Sequence, residues 1–220
     1  MTALRTSAPA PLRAWVLDQV RTVGYAVVTA PHDDRSFASL AGELGAIIDD
    51  VRVEIVPGDT AYLAQPGEMP FHTDHPLADI IGWRCEVQDE GFGASLLVDG
   101  RAVLAALDAR RRRDLAGVQL PARRGPGEAE VPTPIVTGED ERLFFTPWLR
   151  PLFLSWDGRF ALAAFRDALA HAPHALEVRL APGELLFIDN HRMLHGRGPL
   201  PQESKRRLRR LWIHRPEAST

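Results

Sequence analysis

Two histidine-bearing motifs about 120 residues apart constrain this chain more than any other feature. The first is Met69-Pro70-Phe71-His72-Thr73-Asp74, and the second is Asp189-Asn190-His191-Arg192-Met193-Leu194-His195-Gly196-Arg197. In an extended segment, residues two apart share a face, so His72 and Asp74 aim side by side and Thr73 turns away. Pro70 favours that extension, because it fixes its own φ and disfavours helix for Met69. His195 lies in a glycine-bearing stretch just past the apolar run Leu185 to Ile188, which reads as a strand. It is predicted to protrude at the end of a sheet.

Two neutral imidazoles and one carboxylate on one side of an octahedral metal form the ligand set of a mononuclear non-haem iron(II) centre. Three positions stay open, which suits O₂ chemistry with a bidentate co-substrate. His72, Asp74 and His195 are the candidate ligands, with His75 and His191 read as bystanders. A basic segment, Lys205-Arg206-Arg207-Leu208-Arg209-Arg210-Leu211-Trp212-Ile213, follows at once. As a strand it puts Arg206, Leu208, Arg210, Trp212 and His214 on one face, and Arg207, Arg209, Leu211 and Ile213 on the other. The interleaved apolar residues argue for a buried strand. Buried guanidiniums need anions, because an unpaired buried charge is costly, and arginine suits bidentate carboxylate recognition. Arg206 and Arg210 lie about 13 Å apart at roughly 3.3 Å per residue, so one small dicarboxylate does not use both. Arg210 is predicted to be free for an anionic group of the substrate, with Phe71, Trp148 and Trp212 as aromatic candidates beside it.

The rest of the chain reads as many short strands with few helices. Leu12 to Val23 is predicted as a helix ending at Gly24, and Asp33 and Asp34 as the cap of a second one that Gly45 stops. Strands are predicted over Tyr25 to Val28, Val51 to Val56, Asp79 to Val87, Ser95 to Val98, Leu143 to Thr146, Glu177 to Leu180, Leu185 to Ile188 and Leu208 to His214. Gly100 to Leu107, Arg110 to Leu115 and Gly158 to His171 read as helices, and Arg123 to Pro134 as a surface loop. Regular strand–helix alternation is absent, which excludes a doubly wound sheet. The expected fold is mainly β with flanking helices, a double-stranded β-helix (jelly roll, cupin-like).

Composition narrows the remaining classes. A loose tail over residues 1–10 and a single domain over 11–220 fit the length of 220 residues. No apolar run approaches 18 residues and the N-terminus lacks a secretory apolar core, so neither a membrane nor export is expected. The single cysteine, Cys85, reads as an inert buried thiol and fits a reducing cytoplasm. A net charge of −3 gives no argument for nucleic acid. Arg110 to Arg113 reads as a solvated helix face. Gly93-Ala94-Ser95-Leu96-Leu97 lacks the last glycine of a nucleophile elbow, and Gly91-Phe92-Gly93 lacks the third glycine of a dinucleotide loop.

These motifs resemble those of the Fe(II)/2-oxoglutarate-dependent oxygenases, in the branch of taurine dioxygenase, γ-butyrobetaine hydroxylase, clavaminate synthase and the arginine hydroxylases. The resemblance runs from about Gly24 to His214. It is carried by Met69 to Asp74, by Ala94 to Gly100, and by Asp189 to Arg197 with Arg206 to Arg210. It implies that His72, Asp74 and His195 hold iron, that Ser95 and Arg206 bind the distal carboxylate of 2-oxoglutarate, and that Arg210 contacts an anionic group of the substrate. It also implies oxidation, by default hydroxylation, of a small amino-acid-derived metabolite, free or carrier-tethered. O₂ is consumed, with release of succinate and CO₂. The carboxylate at Asp74 argues against halogenation. The chain departs from the family in having Gly91-Phe92-Gly93-Ala94 where Gly-Gly-(Asp/Glu) usually precedes the hydroxyl residue. Two rival readings use the same residues: a cupin-like zinc or iron hydrolase or isomerase, and a catalytically silent binding protein. The Arg206/Arg210 pair argues against the first, and three intact ligand positions against the second.

Overall fold

The computed structural model describes residues 12–56, 58–59, 62–123 and 128–215. The predicted tail over residues 1–10 lies outside them. In chain order the elements are α1 (Leu12–Thr22), β1 (Tyr25–Val28), α2 (Asp34–Leu44), β2 (Ala46–Glu54), a short 3₁₀ turn (Tyr62–Ala64), β3 (Met69–His72), β4 (Ile80–Val87), β5 (Ser95–Asp99), α3 (Gly100–Ala105), α4 (Ala109–Ala116), β6 (Gln119–Ala122), β7 (Val131–Pro134), β8 (Val136–Thr137), β9 (Arg142–Leu143), α5 (Trp156–His171), β10 (Leu176–Val178), β11 (Leu185–Asp189), β12 (Met193–Arg197) and β13 (Arg207–His214). A five-stranded sheet, ordered β1-β11-β4-β13-β2, faces a four-stranded sheet, ordered β10-β5-β12-β3. Every pairing in both is antiparallel. This is the expected jelly roll with flanking helices.

The period of two along each strand builds three apolar layers. Inward-facing Ile81, Trp83, Cys85, Leu97, Leu186, Ile188 and Leu208 fill the space between the sheets. Their neighbours Ile80, Leu185, Phe187, Leu211 and Ile213 pack outward against Val16, Phe37 and Leu40 of the N-terminal helices. On the far side, Val98 and Leu194 pack against the cluster that includes Phe165 of α5. Helix boundaries follow from local chemistry. Asp33 caps α2 by accepting the Ser36 N–H at 2.8 Å, and Ser155 caps α5 through Gly158 N–H at 3.0 Å. Each such cap contributes about 0.5–2 kcal/mol. Gly82 is required by packing, since a Cβ there would lie 2.8 Å from the Phe187 ring.

Several predicted elements differ from those formed. β2 begins at Ala46 rather than Val51, because the more exposed first half of this edge strand still pairs with β13. The Pro-rich stretch predicted as a loop contributes β7, which pairs with β6 despite Pro121, Pro132 and Pro134. The strand predicted over Leu143 to Thr146 shrinks to β9, and its last residues serve another purpose. Phe145 accepts the Thr73 N–H through its carbonyl at 2.8 Å and donates its own N–H to Thr73 Oγ1 at 2.9 Å. The segment around His195 is not a protruding sheet end. It is β12, a central strand buried along its whole length between β5 and β3.

Candidate metal centre

The two motifs meet between the sheets. His72 is the last residue of β3 and lies directly opposite His195 of β12 across an antiparallel pair. Asp74 follows two residues later on irregular backbone. One ligand atom from each of the three lies within 4.8 Å of the others. His72 Nε2 is 3.8 Å and His195 Nε2 3.9 Å from Asp74 Oδ1, and the two imidazole centroids are 4.1 Å apart.

The surroundings prepare these groups for a cation. His72 Nδ1 lies 2.9 Å from the Pro70 carbonyl, which takes the Nδ1–H and leaves the Nε2 lone pair facing Asp74. Burial lowers the His72 pKa, and lowers that of His195 further with help from the charge of His72, so both rings are neutral donors. Burial works against ionisation of Asp74, but Arg210, His195, His72 and the Trp212 hydrogen bond outweigh it and hold the carboxyl below its ordinary value. Trp212 donates its indole N–H to Asp74 Oδ2 at 2.8 Å. His195 Nδ1 is buried without a hydrogen-bond partner among the described residues. Two neutral imidazoles flanking an ionised carboxylate fit iron(II) or a similar divalent ion.

A second group of residues gathers beside the triad. His72, Ser95, His195, Arg197, Arg206 and Arg210 line one cavity, with Trp83, Leu97 and Leu208 among its apolar walls. Arg206 donates through Nη2 to Ser95 Oγ at 3.4 Å across 111 residues of sequence. Arg206 is 5% exposed and makes no ion pair with a carboxylate among the described residues. Burial first, and then the charge of Arg197, pushes its pKa down to about 10. Arg197 was not singled out by the sequence, although it lies two residues from His195 and so on the same strand face. It donates to the carbonyls of Gln65 at 2.8 Å and Gly67 at 3.1 Å, clasping the segment that leads into β3.

Two sequence expectations, on Arg210 and Phe71, are corrected here. Arg210 does not stand free. Its Nη1 donates to both Asp74 oxygens at 3.2 and 3.1 Å, and its Nη2 to Asp49 at 3.3 Å. Asp49 projects from β2, whose pairing with β13 the sequence does not specify. Phe71 does not line the metal cavity. Strand alternation turns it to the opposite face from His72, where it packs edge-on against His174 at 5.5 Å and lines a different cleft. Trp212 holds Asp74 and stacks on His75 at 5.8 Å, so its indole N–H orients a ligand. Trp148 lies over His72, with centroids 4.8 Å apart, and is part-exposed at the edge of the site.

His191 stays apart from the triad. It pairs with Asp79 at 3.3 Å, in a cluster that also gives Asp79 contacts with Arg142 and His214. Burial opposes ionisation of Asp79, yet the close approach of His191, the hydrogen bonds from the Arg215 N–H and Arg142 and the charges around it keep its carboxyl well below the ordinary range.

The geometry agrees with what the chain resembles. An asparagine oxygenase solved with Fe(II), 2S,3S-3-hydroxyasparagine and succinate shares 23% identity over 94% of this chain and 80% of its own, with a TM-score of 0.71. The non-heme iron oxygenase OrfP, in complex with Fe and alpha-ketoglutaric acid, shares 17% identity over 92% of this chain and 78% of its own, with a TM-score of 0.72. PvcB, an Fe, alpha-ketoglutarate dependent oxygenase from an isonitrile synthetic pathway, shares 20% identity over 94% and 81%, with a TM-score of 0.69. No curated protein sequence is significantly similar to the chain. The family profile of the taurine catabolism dioxygenase TauD, TfdA family matches residues 4–212. The chain therefore belongs to the TauD/TfdA family of Fe(II)/2-oxoglutarate-dependent dioxygenases.

Proposed function

We propose that this enzyme hydroxylates a small, amino-acid-derived metabolite with consumption of O₂ and 2-oxoglutarate and release of succinate and CO₂. His72, Asp74 and His195 hold Fe(II), and Arg206 with Ser95 binds the distal carboxylate of 2-oxoglutarate. The observation that carries this reading is the cavity in which the triad adjoins a buried guanidinium without a carboxylate partner among the described residues. A zinc hydrolase needs no dicarboxylate co-substrate to complete that ion pair. The bound metal supplies Lewis acidity and access to O₂ chemistry. The protein's own residues do the rest. The Pro70 carbonyl fixes the His72 tautomer, and Trp212 and Arg210 aim the Asp74 carboxylate. Arg206 sets the depth to which a dicarboxylate enters, and Trp83, Leu97, Leu186 and Leu208 keep bulk water from the site.

The substrate class is supported by the neighbours solved with 3-hydroxyasparagine and (3S)-hydroxy-L-Arg. The part-exposed edges of Trp148 and Trp212 are the surfaces such a substrate meets here. Arg210, already engaged by Asp74 and Asp49, can contact an anionic substrate group only by sharing its donors. Anaerobic titration with Fe(II) and then 2-oxoglutarate tests the assignment. A weak visible charge-transfer band is expected for the wild type and is absent in His195→Ala. A wild-type protein that shows no band and no 2-oxoglutarate consumption with any L-amino acid or amino-acid amide would sink it.

A further inference from the structure

Asp74 is the candidate ligand on irregular backbone, since residues 73–79 belong to neither strand nor helix. No ladder fixes its main chain. Asn190, in the turn between β11 and β12 and 1% exposed, does so instead. Its Oδ1 accepts the Asp74 N–H at 2.8 Å. Its Nδ2 donates to the carbonyls of His75 at 3.2 Å and Ala78 at 2.8 Å, so both amide hydrogens and one acceptor site are engaged. The Asn190 backbone N–H adds a bond to the Asp79 carbonyl at 3.0 Å. Four hydrogen bonds thus tie the turn that opens β12, the strand of His195, to the segment that carries Asp74.

We propose that Asn190 is a positioning residue for the metal centre: through its amide it sets the placement of Asp74 relative to His195. This rests on the ligand set assigned above. Asparagine meets the geometric demand, with an acceptor for the ligand's N–H and two donors for carbonyls in one planar group. An aspartate in its place would keep size and acceptor but turn an anionic oxygen towards two carbonyls. A serine would be too short to reach all three. A metal site tolerates displacement of a ligand by only about 0.5 Å before affinity suffers.

The test compares Asn190→Asp and the uncharged Asn190→Ser with Val16→Ala. Val16 is buried under the opposite sheet, outside the site, and its variant reports what fold destabilisation alone does to metal binding. Co(II) is the probe, read by its dissociation constant and its ligand-field spectrum, beside the melting temperature of the metal-free protein. The Asn190 variants should lose about 10–100-fold in Co(II) affinity with a shifted spectrum, while Val16→Ala keeps both at wild-type values. Wild-type affinity and spectrum in either folded Asn190 variant overturns the proposal, as does an equal loss in Val16→Ala. His195→Ala separates the two levels of inference. If it binds Co(II) as the wild type does, the ligand set has failed; if it alone loses Co(II), the set stands and the role of Asn190 falls.

Discussion

Arg206 and Arg210 lie four residues apart and line one cavity, both 5% exposed, yet they live in opposite electrostatic circumstances. Arg210 has its counterions within the protein, Asp74 at 3.1 Å and Asp49 at 3.3 Å, and its guanidinium lies 4.7 Å over the Trp212 ring. Among the described residues the Arg206 guanidinium has one hydrogen-bond partner, the neutral Ser95 hydroxyl, and a second cation, Arg197, nearby. A buried charge with partners belongs to the scaffold. A buried charge without them costs stability until an anion arrives. The difference divides the cavity into a metal end, organised by the protein's own ion pairs, and a co-substrate end that completes its ion pair only with a ligand.

Four experiments break or sharpen that division. The largest effect belongs to the metal end itself. His72→Ala, Asp74→Ala and His195→Ala should each abolish metal binding and succinate formation, with circular dichroism showing an intact fold. Turnover in His195→Ala with stoichiometric iron would erase the metal end. Next, Arg206→Ala should raise the 2-oxoglutarate requirement by orders of magnitude, since removing one side of a buried charge pair costs about 2–5 kcal/mol. Arg206→Lys should recover part of it, because a point charge does not reproduce the fork. The melting temperature of ligand-free Arg206→Ala should not fall, since an unpaired buried charge is lost.

Arg210→Ala should behave in the contrary way. It leaves Asp74 and Asp49 facing each other without their shared cation, so the melting temperature should drop and metal affinity should weaken by about 10–100-fold. The affinity for 2-oxoglutarate, measured at saturating metal, should change far less. Equal effects of the two substitutions on both readouts would dissolve the distinction. The smallest effect is set by acid. Asp79 anchors the segment that carries Asp74, and its carboxyl is held below the ordinary value of 3.8. A carboxyl depressed in the folded state stabilises it above the unfolded pKa, and that contribution is lost as pH falls from 3.8 towards the folded value. Asp79→Asn should therefore melt lower than the wild type at pH 7, and the gap should narrow as pH falls below about 4. A gap constant with pH would mean that the charge of Asp79 contributes nothing.

Much of the site was legible before the fold was known, wherever one local rule sufficed. Alternation along an extended segment put His72 beside Asp74, although Asp74 itself lies past the end of β3 on irregular backbone. It also put Leu208, Arg210 and Trp212 on one face of β13, and Arg206, just before that strand, lines the same cavity as Leu208 and Arg210. The same rule, carried through, also assigns Phe71 to the wrong face for the cavity. It would have found Arg197 beside His195 as well, had 193–197 been read as a strand. Gly196 and the polar residues around it hid that strand. It is stabilised by pairing on both sides, and the Met69 carbonyl would lie 2.8 Å from a Cβ at position 196.

By itself the sequence determined which side chains share a face, which segments start and stop helices, and which chemistry the ligand types permit, because each depends on a few neighbouring residues and their covalent geometry. The tertiary structure alone decided which charges are partnered. Asp49 reaches Arg210 across 161 residues, Ser95 reaches Arg206 across 111, and Asn190 reaches Asp74 across 116. Each of these contacts depends on the register of strands paired far apart in the chain. That register is fixed by the collective burial of both sheet faces, since a slip of one residue would turn every inward side chain outward.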